Sequence, residues 1–78
     1  MPFYQFLWTP EIIDHIEQHG VTIDEFEEIV TNPDEITISR GSGRPAAEGF
    51  SSTGKYLFCV YELMEDGMTV IPVTAYEI

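Results

Sequence analysis

The sequence predicts an α+β fold in the order β-α-α-β-β-β-β, with a helical hairpin packed on a mainly antiparallel, curved sheet. Three observations predict it. Apolar residues recur at helical spacing only between Thr9 and Thr31. From Glu35 onward, period-two alternation and short apolar runs take over, separated by turn residues. Helices that come early and strands that come late place the helix pair on one face of the sheet.

The first element is Phe3 to Leu7, short, aromatic-rich and bounded by Pro2 and Pro10. It reads as a strand. Thr9-Pro10 starts a helix, with a hydroxyl at the N-cap and proline at the first helical position, where its missing N–H costs nothing. Ile12, Ile13 and Ile16 form its apolar stripe, and Gly20 ends it by adopting positive φ. The second helix opens on a capping box, Thr22-x-x-Glu25, with Val21 and Phe26 as the hydrophobic staple. Ile23, Phe26, Ile29 and Val30 form its buried face, Glu27 and Glu28 point away, and Asn32-Pro33 stops it.

Ile36 and Ile38 alternate with Glu35, Thr37 and Ser39, which predicts a half-buried strand. Arg40 to Pro45 is a loop by composition. Ala46 to Ser51 reads as a weak strand, and Ser52 to Gly54 as a turn. Tyr56 to Met64 is nearly all apolar, as in a central strand. Glu65-Asp66-Gly67 is a hairpin turn, and Met68 to Tyr76 is the last strand. Pro72 removes one ladder donor, so that strand has an exposed edge or a bulge there.

At 78 residues the chain is expected to form one domain, residues 1–78. A hydrophobic fraction of 44% argues against disorder. No apolar run approaches the length of a membrane span. Met1 to Pro10 lacks a basic segment and a small-residue cleavage site, so it reads as a strand and not as a signal peptide. Cys59, the single cysteine, can form no internal disulfide. A cytoplasmic location follows as the expectation.

Charge narrows the function. Three cations face fourteen acids, for a net charge of −11. Nucleic-acid binders usually present a basic face, so a DNA partner is not expected. All three cations, Arg40, Arg44 and Lys55, lie within residues 40–55, beside the single acid Glu48. Arg40-Gly-Ser-Gly-Arg44 could hold a phosphate with backbone N–H groups and two guanidiniums, although it lacks the Gly-Lys-Ser/Thr of a P-loop. The alternative is a solvated loop, with Glu48 in a surface salt bridge to Arg44. His15 and His19 share a helix face, but favourable placement near the helix C-terminus explains them better than a metal does. Cys59 lies in an apolar run and reads as a small core hydrophobe. No cofactor or metal is expected.

Several short motifs together resemble the RelE/ParE toxin superfamily, and within it the small BrnT-like group. They are Phe6-x-Trp8, His19-Gly20-Val21-Thr22, Asn32-Pro33, Gly54-Lys55 before the long strand, and Val70 to Glu77 at the end. The resemblance implies a RelE-like fold and a toxin-like component of a toxin–antitoxin system. Active members cleave messenger RNA without a metal, which needs a base for the 2′-hydroxyl, an acid for the leaving oxygen and cations for the phosphorane. For such an endoribonuclease site the candidates here are Arg40, Arg44, Glu48, Lys55, Tyr61 and Tyr76. BrnT-like relatives commonly carry Gly-Arg before the long strand and arginine in the last strand. Here those places hold Gly49-Phe50 and Tyr76. Losing one comparable electrostatic donor costs about 10²–10³ in rate, so weak or lost cleavage is expected.

The expected partner is a cognate antitoxin-like protein, with the ribosome or mRNA as partners of an active form and a homodimer through an apolar interface as a further option. The alternative from a different class is an acidic interaction module that binds a basic partner or mimics nucleic acid.

Overall fold

The computed structural model describes residues 4–78. Its elements are β1 (Gln5–Phe6), α1 (Pro10–Gln18), α2 (Ile23–Thr31), β2 (Glu35–Ile38), β3 (Pro45–Phe50), β4 (Tyr56–Leu63) and β5 (Thr69–Glu77). The element order is the expected one. β1 is shorter than the expected strand, whose start at Phe3 lies outside the described residues.

Local chemistry accounts for the helix ends. The Thr9 hydroxyl accepts from the Ile12 N–H, and Pro10 occupies the first turn of α1. Gly20, at φ 80°, follows the C-cap His19 and turns the chain toward α2. At α2 the capping box is complete. Thr22 accepts from the Glu25 N–H, and Glu25 Oε1 accepts from the Thr22 N–H at 3.0 Å. The staple residues Val21 and Phe26 are both fully buried.

The strands form one mixed sheet in the order β1-β5-β4-β3-β2. β2–β3, β3–β4 and β4–β5 are antiparallel, while β1 runs parallel to β5. The last strand is therefore not an outer strand along its whole length: β1 pairs with Thr69 and Val70. At Pro72 the ladder is irregular. Val60 pairs with Thr74 but Tyr61 pairs with Pro72, so Val73 is an extra, bulged residue.

Residues paired across antiparallel strands project to the same face. Ala47, Cys59 and Ala75 share one face and meet Ile16, Val21, Phe26, Ile29 and Val30 of the helical hairpin in the core. Phe6 and Trp8 pack at its margin, with the Trp8 ring edge-on to Phe26 at 5.2 Å. The Trp8 indole N–H donates to Glu27 Oε2 at 2.8 Å. Burial of this kind contributes about 1.5–3 kcal/mol per large side chain.

Three surface expectations are corrected. Ile36 and Ile38 are 64% and 65% exposed, not half-buried. They share the helix side of the sheet with Ala47, but β2 is the outermost strand, and the helices pack on β3, β4 and β5. Glu27 and Glu28 do not point away into water. Glu27 holds Trp8, and Glu28 Oε1 accepts from the Ser52 N–H at 3.0 Å, tying α2 to the β3–β4 turn.

Candidate functional site

The sheet face away from the helices carries the cross-strand pairs Glu35–Glu48, Glu48–Phe58, Phe58–Tyr76 and Phe50–Tyr56. Two of these are aromatic pairs. Phe58 and Tyr76 have ring centroids 5.4 Å apart, and Phe50 and Tyr56 are edge-on at 4.8 Å. Small Ala46 and Val60 form a buried floor beside them. A cleft of about 390 Å³ opens here, lined by Thr37, Ile38, Ser39, Arg40, Gly41, Glu48, Phe58 and Tyr76. Its size is that of a small-ligand cleft.

Of the six residues expected to form a catalytic site, Arg40, Glu48 and Tyr76 line this cleft. Arg40 arrives on the β2–β3 hairpin, closed by the Ser39 N–H to Arg44 O bond at 2.8 Å and by Gly43 at φ 71°. Arg44 stands on the same face, but its Nε donates to Glu62 Oε1 at 2.8 Å. The expected Arg44–Glu48 salt bridge is thus replaced by Arg44–Glu62. Register explains the exchange: Ala46 pairs with Val60, which puts Glu62 straight across from Arg44.

Lys55 and Tyr61 do not join them. Lys55 Nζ donates to Gly20 O at 2.8 Å and lies 3.4 Å from Glu25 Oε2, on the helix side. Glu25 is almost fully buried. Burial pushes its carboxyl up, and the Thr53 hydroxyl, the Thr22 N–H and Lys55 together outweigh that and hold it below the usual carboxylate range. Lys55 is thereby a structural counter-ion. Tyr61 is 6% exposed and belongs to the core, where burial pushes its phenol up.

Sequence reasoning missed Tyr56, Phe58 and Glu35. The Tyr56 hydroxyl donates to Glu48 Oε1 at 3.0 Å. That bond is the main cause of a raised Tyr56 phenol, with burial next and then the charges of Glu48, Glu35 and Asp34. Asp34 is held in place: its N–H donates to Glu48 O at 2.9 Å, and its Oδ2 accepts from the Phe50 N–H. Glu35 and Glu48 are like charges directly opposite each other, a destabilising pairing in a sheet. One signal was available in the sequence. Counting outward from the Ser52-Thr53-Gly54 turn sets Phe50 against Tyr56 and Glu48 against Phe58.

The arrangement has two aromatic pairs, one guanidinium without a carboxylate partner among the described residues, and an excess of carboxylates. Cys59 is a poor nucleophile: it is buried on the helix side, and burial pushes its thiol up to about 12. His15 and His19 are edge-on at 5.0 Å, and His15 Nε2 meets Thr74 Oγ1 at 2.9 Å. No group of three or more His, Cys, Asp or Glu side chains is placed to hold a metal among the described residues. No helix there is long and apolar enough to cross a membrane. Comparison with protein-family models, curated proteins and solved structures returns no match.

Proposed function

We propose that this chain is the toxin-like component of a toxin–antitoxin pair, that it acts by binding a basic antitoxin-like protein, and that RNA cleavage is weak or lost. The two-helix, five-strand fold agrees with the RelE-like architecture that the resemblance implies. The observation that carries the reading is the fate of the cations. Arg44 is paired with Glu62, and Lys55 is paired with Glu25 on the other face. Only Arg40 is left in the cleft beside Glu48, with Glu35 across the strand pair. A phosphorane that gains negative charge finds one guanidinium and two carboxylates, the reverse of what its stabilisation requires. The same surface favours a cationic protein. This reading puts the protein in the cytoplasm.

The test is purified chain incubated with messenger RNA, with and without ribosomes, at low salt, where phosphate attraction is strongest. No cleavage is expected, and a stable complex with a small basic protein encoded beside the gene is. Cleavage abolished by Arg40→Ala overturns the proposal. Charge also supports a second reading, an acidic interaction module outside any toxin–antitoxin pair. A basic partner encoded elsewhere, with no effect of the neighbouring gene product, distinguishes it.

A further inference from the structure

We infer that β2 is the docking edge for this partner, and that the partner adds an extended segment in which apolar and basic residues alternate. The inference rests on the basic-partner reading above and specifies where and how that partner binds.

β2 ends the sheet, and no strand lies beyond it among the described residues. The Ser39 N–H donates to Arg44 O at 2.8 Å, which makes residues 39 and 44 a hydrogen-bonded pair of the antiparallel ladder. Such pairs alternate along a ladder, so the next one is Thr37 with Ala46. Ile36 and Ile38 fill the positions between, and their N–H and C=O groups point outward, away from β3. The side chains of these two residues are also 64% and 65% exposed. An open edge with two bare isoleucines and no lysine, proline or bulge within it is a template for strand addition.

The pairing also sets the partner's chemistry. A residue of an added strand that sits opposite Ile36 or Ile38 projects to the helix side, against their exposed side chains, and must be apolar. A residue opposite Glu35 or Thr37 projects to the other face, toward Glu48 and the cleft. There the opposed carboxylates of Glu35 and Glu48 are relieved by a cation, and the planar fork of donors makes arginine the side chain best suited to pair with carboxylates. A second copy of this chain is disfavoured as the occupant, because each copy carries a net charge of −11.

The experiment uses the full chain and two synthetic peptides, one alternating valine with arginine and one alternating valine with glutamate. Binding is read by fluorescence anisotropy at low and moderate salt, and site by amide hydrogen exchange. The valine–arginine peptide is expected to bind, to weaken with salt, and to slow exchange at the Ile36 and Ile38 amides. Ile38→Lys, a change at an exposed position that leaves the β3 ladder intact, is expected to weaken binding by about tenfold or more. If that peptide binds no better than its glutamate counterpart at low salt, the basic-partner reading fails and this inference with it. If it binds while the Ile36 and Ile38 amides stay unprotected and Ile38→Lys binds equally well, the edge is overturned and the basic-partner reading stands. Protection of those amides at high protein concentration without peptide shows a second copy on β2 and overturns the assigned occupant.

Discussion

Substituting Glu25 by glutamine tests whether Lys55 is a structural counter-ion or a site residue. Glu25 is 5% exposed at its side chain and accepts from the Thr22 N–H, the Thr53 hydroxyl and Lys55. Glutamine can still complete the capping box, so the helix start is preserved. What changes is the charge that holds Thr53 and Lys55. With its oxygen in the box, glutamine turns an NH2 that cannot accept toward Thr53 and Lys55, so two bonds to a charged acceptor, about 1.5–3 kcal/mol each, are lost. Relief from burying the charge returns about 1–3 kcal/mol, leaving a net cost of about 2–3 kcal/mol. For a domain of this size that lowers Tm by roughly 10–20 °C. Because the folded carboxyl sits below its usual value near 4.5, its contribution is complete above that pH and is lost as pH falls through the folded value. Urea unfolding followed by the fluorescence of Trp8 at neutral and at acid pH measures both effects. A wild-type advantage that narrows in acid is expected. A difference below about 0.5 kcal/mol at neutral pH, or one that is constant with pH, refutes the reasoning.

Three further outcomes are expected. Trp8→Phe removes the indole donor to Glu27 and lowers stability by about 1 kcal/mol in urea unfolding, while Trp8→Ala costs more because contact with Phe26 is also lost. Glu48→Gln lowers the titration of Tyr56, followed by ultraviolet absorbance against Tyr56→Phe, since the Glu48 hydrogen bond is the main cause of the raised phenol. Cys59 resists thiol reagents in the folded protein at neutral pH and reacts at the rate of unfolding, because its thiol is buried and pushed up to about 12.

The helices were legible in the sequence because their signals are local. Thr9-Pro10 and Thr22-x-x-Glu25 fix two starts within four residues each, and the structure places both caps where those residues are. Strand neighbours were less legible. The insertion of β1 beside β5 joins opposite ends of the chain, and no periodicity encodes that choice. The alternation of Ile36 and Ile38 predicted a strand correctly, but it carries no information on how far the helices reach across the sheet. Half of the expected site residues converge on the cleft, because hairpin register brings Arg40, Glu48 and Tyr76 to one face. Arg44, Lys55 and Tyr61 each met a competing partner: Glu62, Glu25 and the hydrophobic core. Those choices depend on long-range packing, which a count of nearby charges does not contain.

The bulge at Val73 gives β5 one place where its length can change. Val70 and Ala75 are an odd number of residues apart, yet both reach the helix-side core, and only the extra residue between Pro72 and Thr74 reconciles them with a period of two. Deleting Val73 leaves every other cross-strand partner in place, with Tyr61 still opposite Pro72 and Val60 still opposite Thr74. Deleting Ile71, Pro72 or Thr74 instead also restores the period of two, with Val73 taken into the ladder, whereas a deletion within β4, which has no extra residue to absorb it, reverses the facing of everything beyond it. Length variation among descendants of this sequence should therefore collect between Val70 and Ala75 of β5, and a strand shortened there would keep Tyr76 over the cleft.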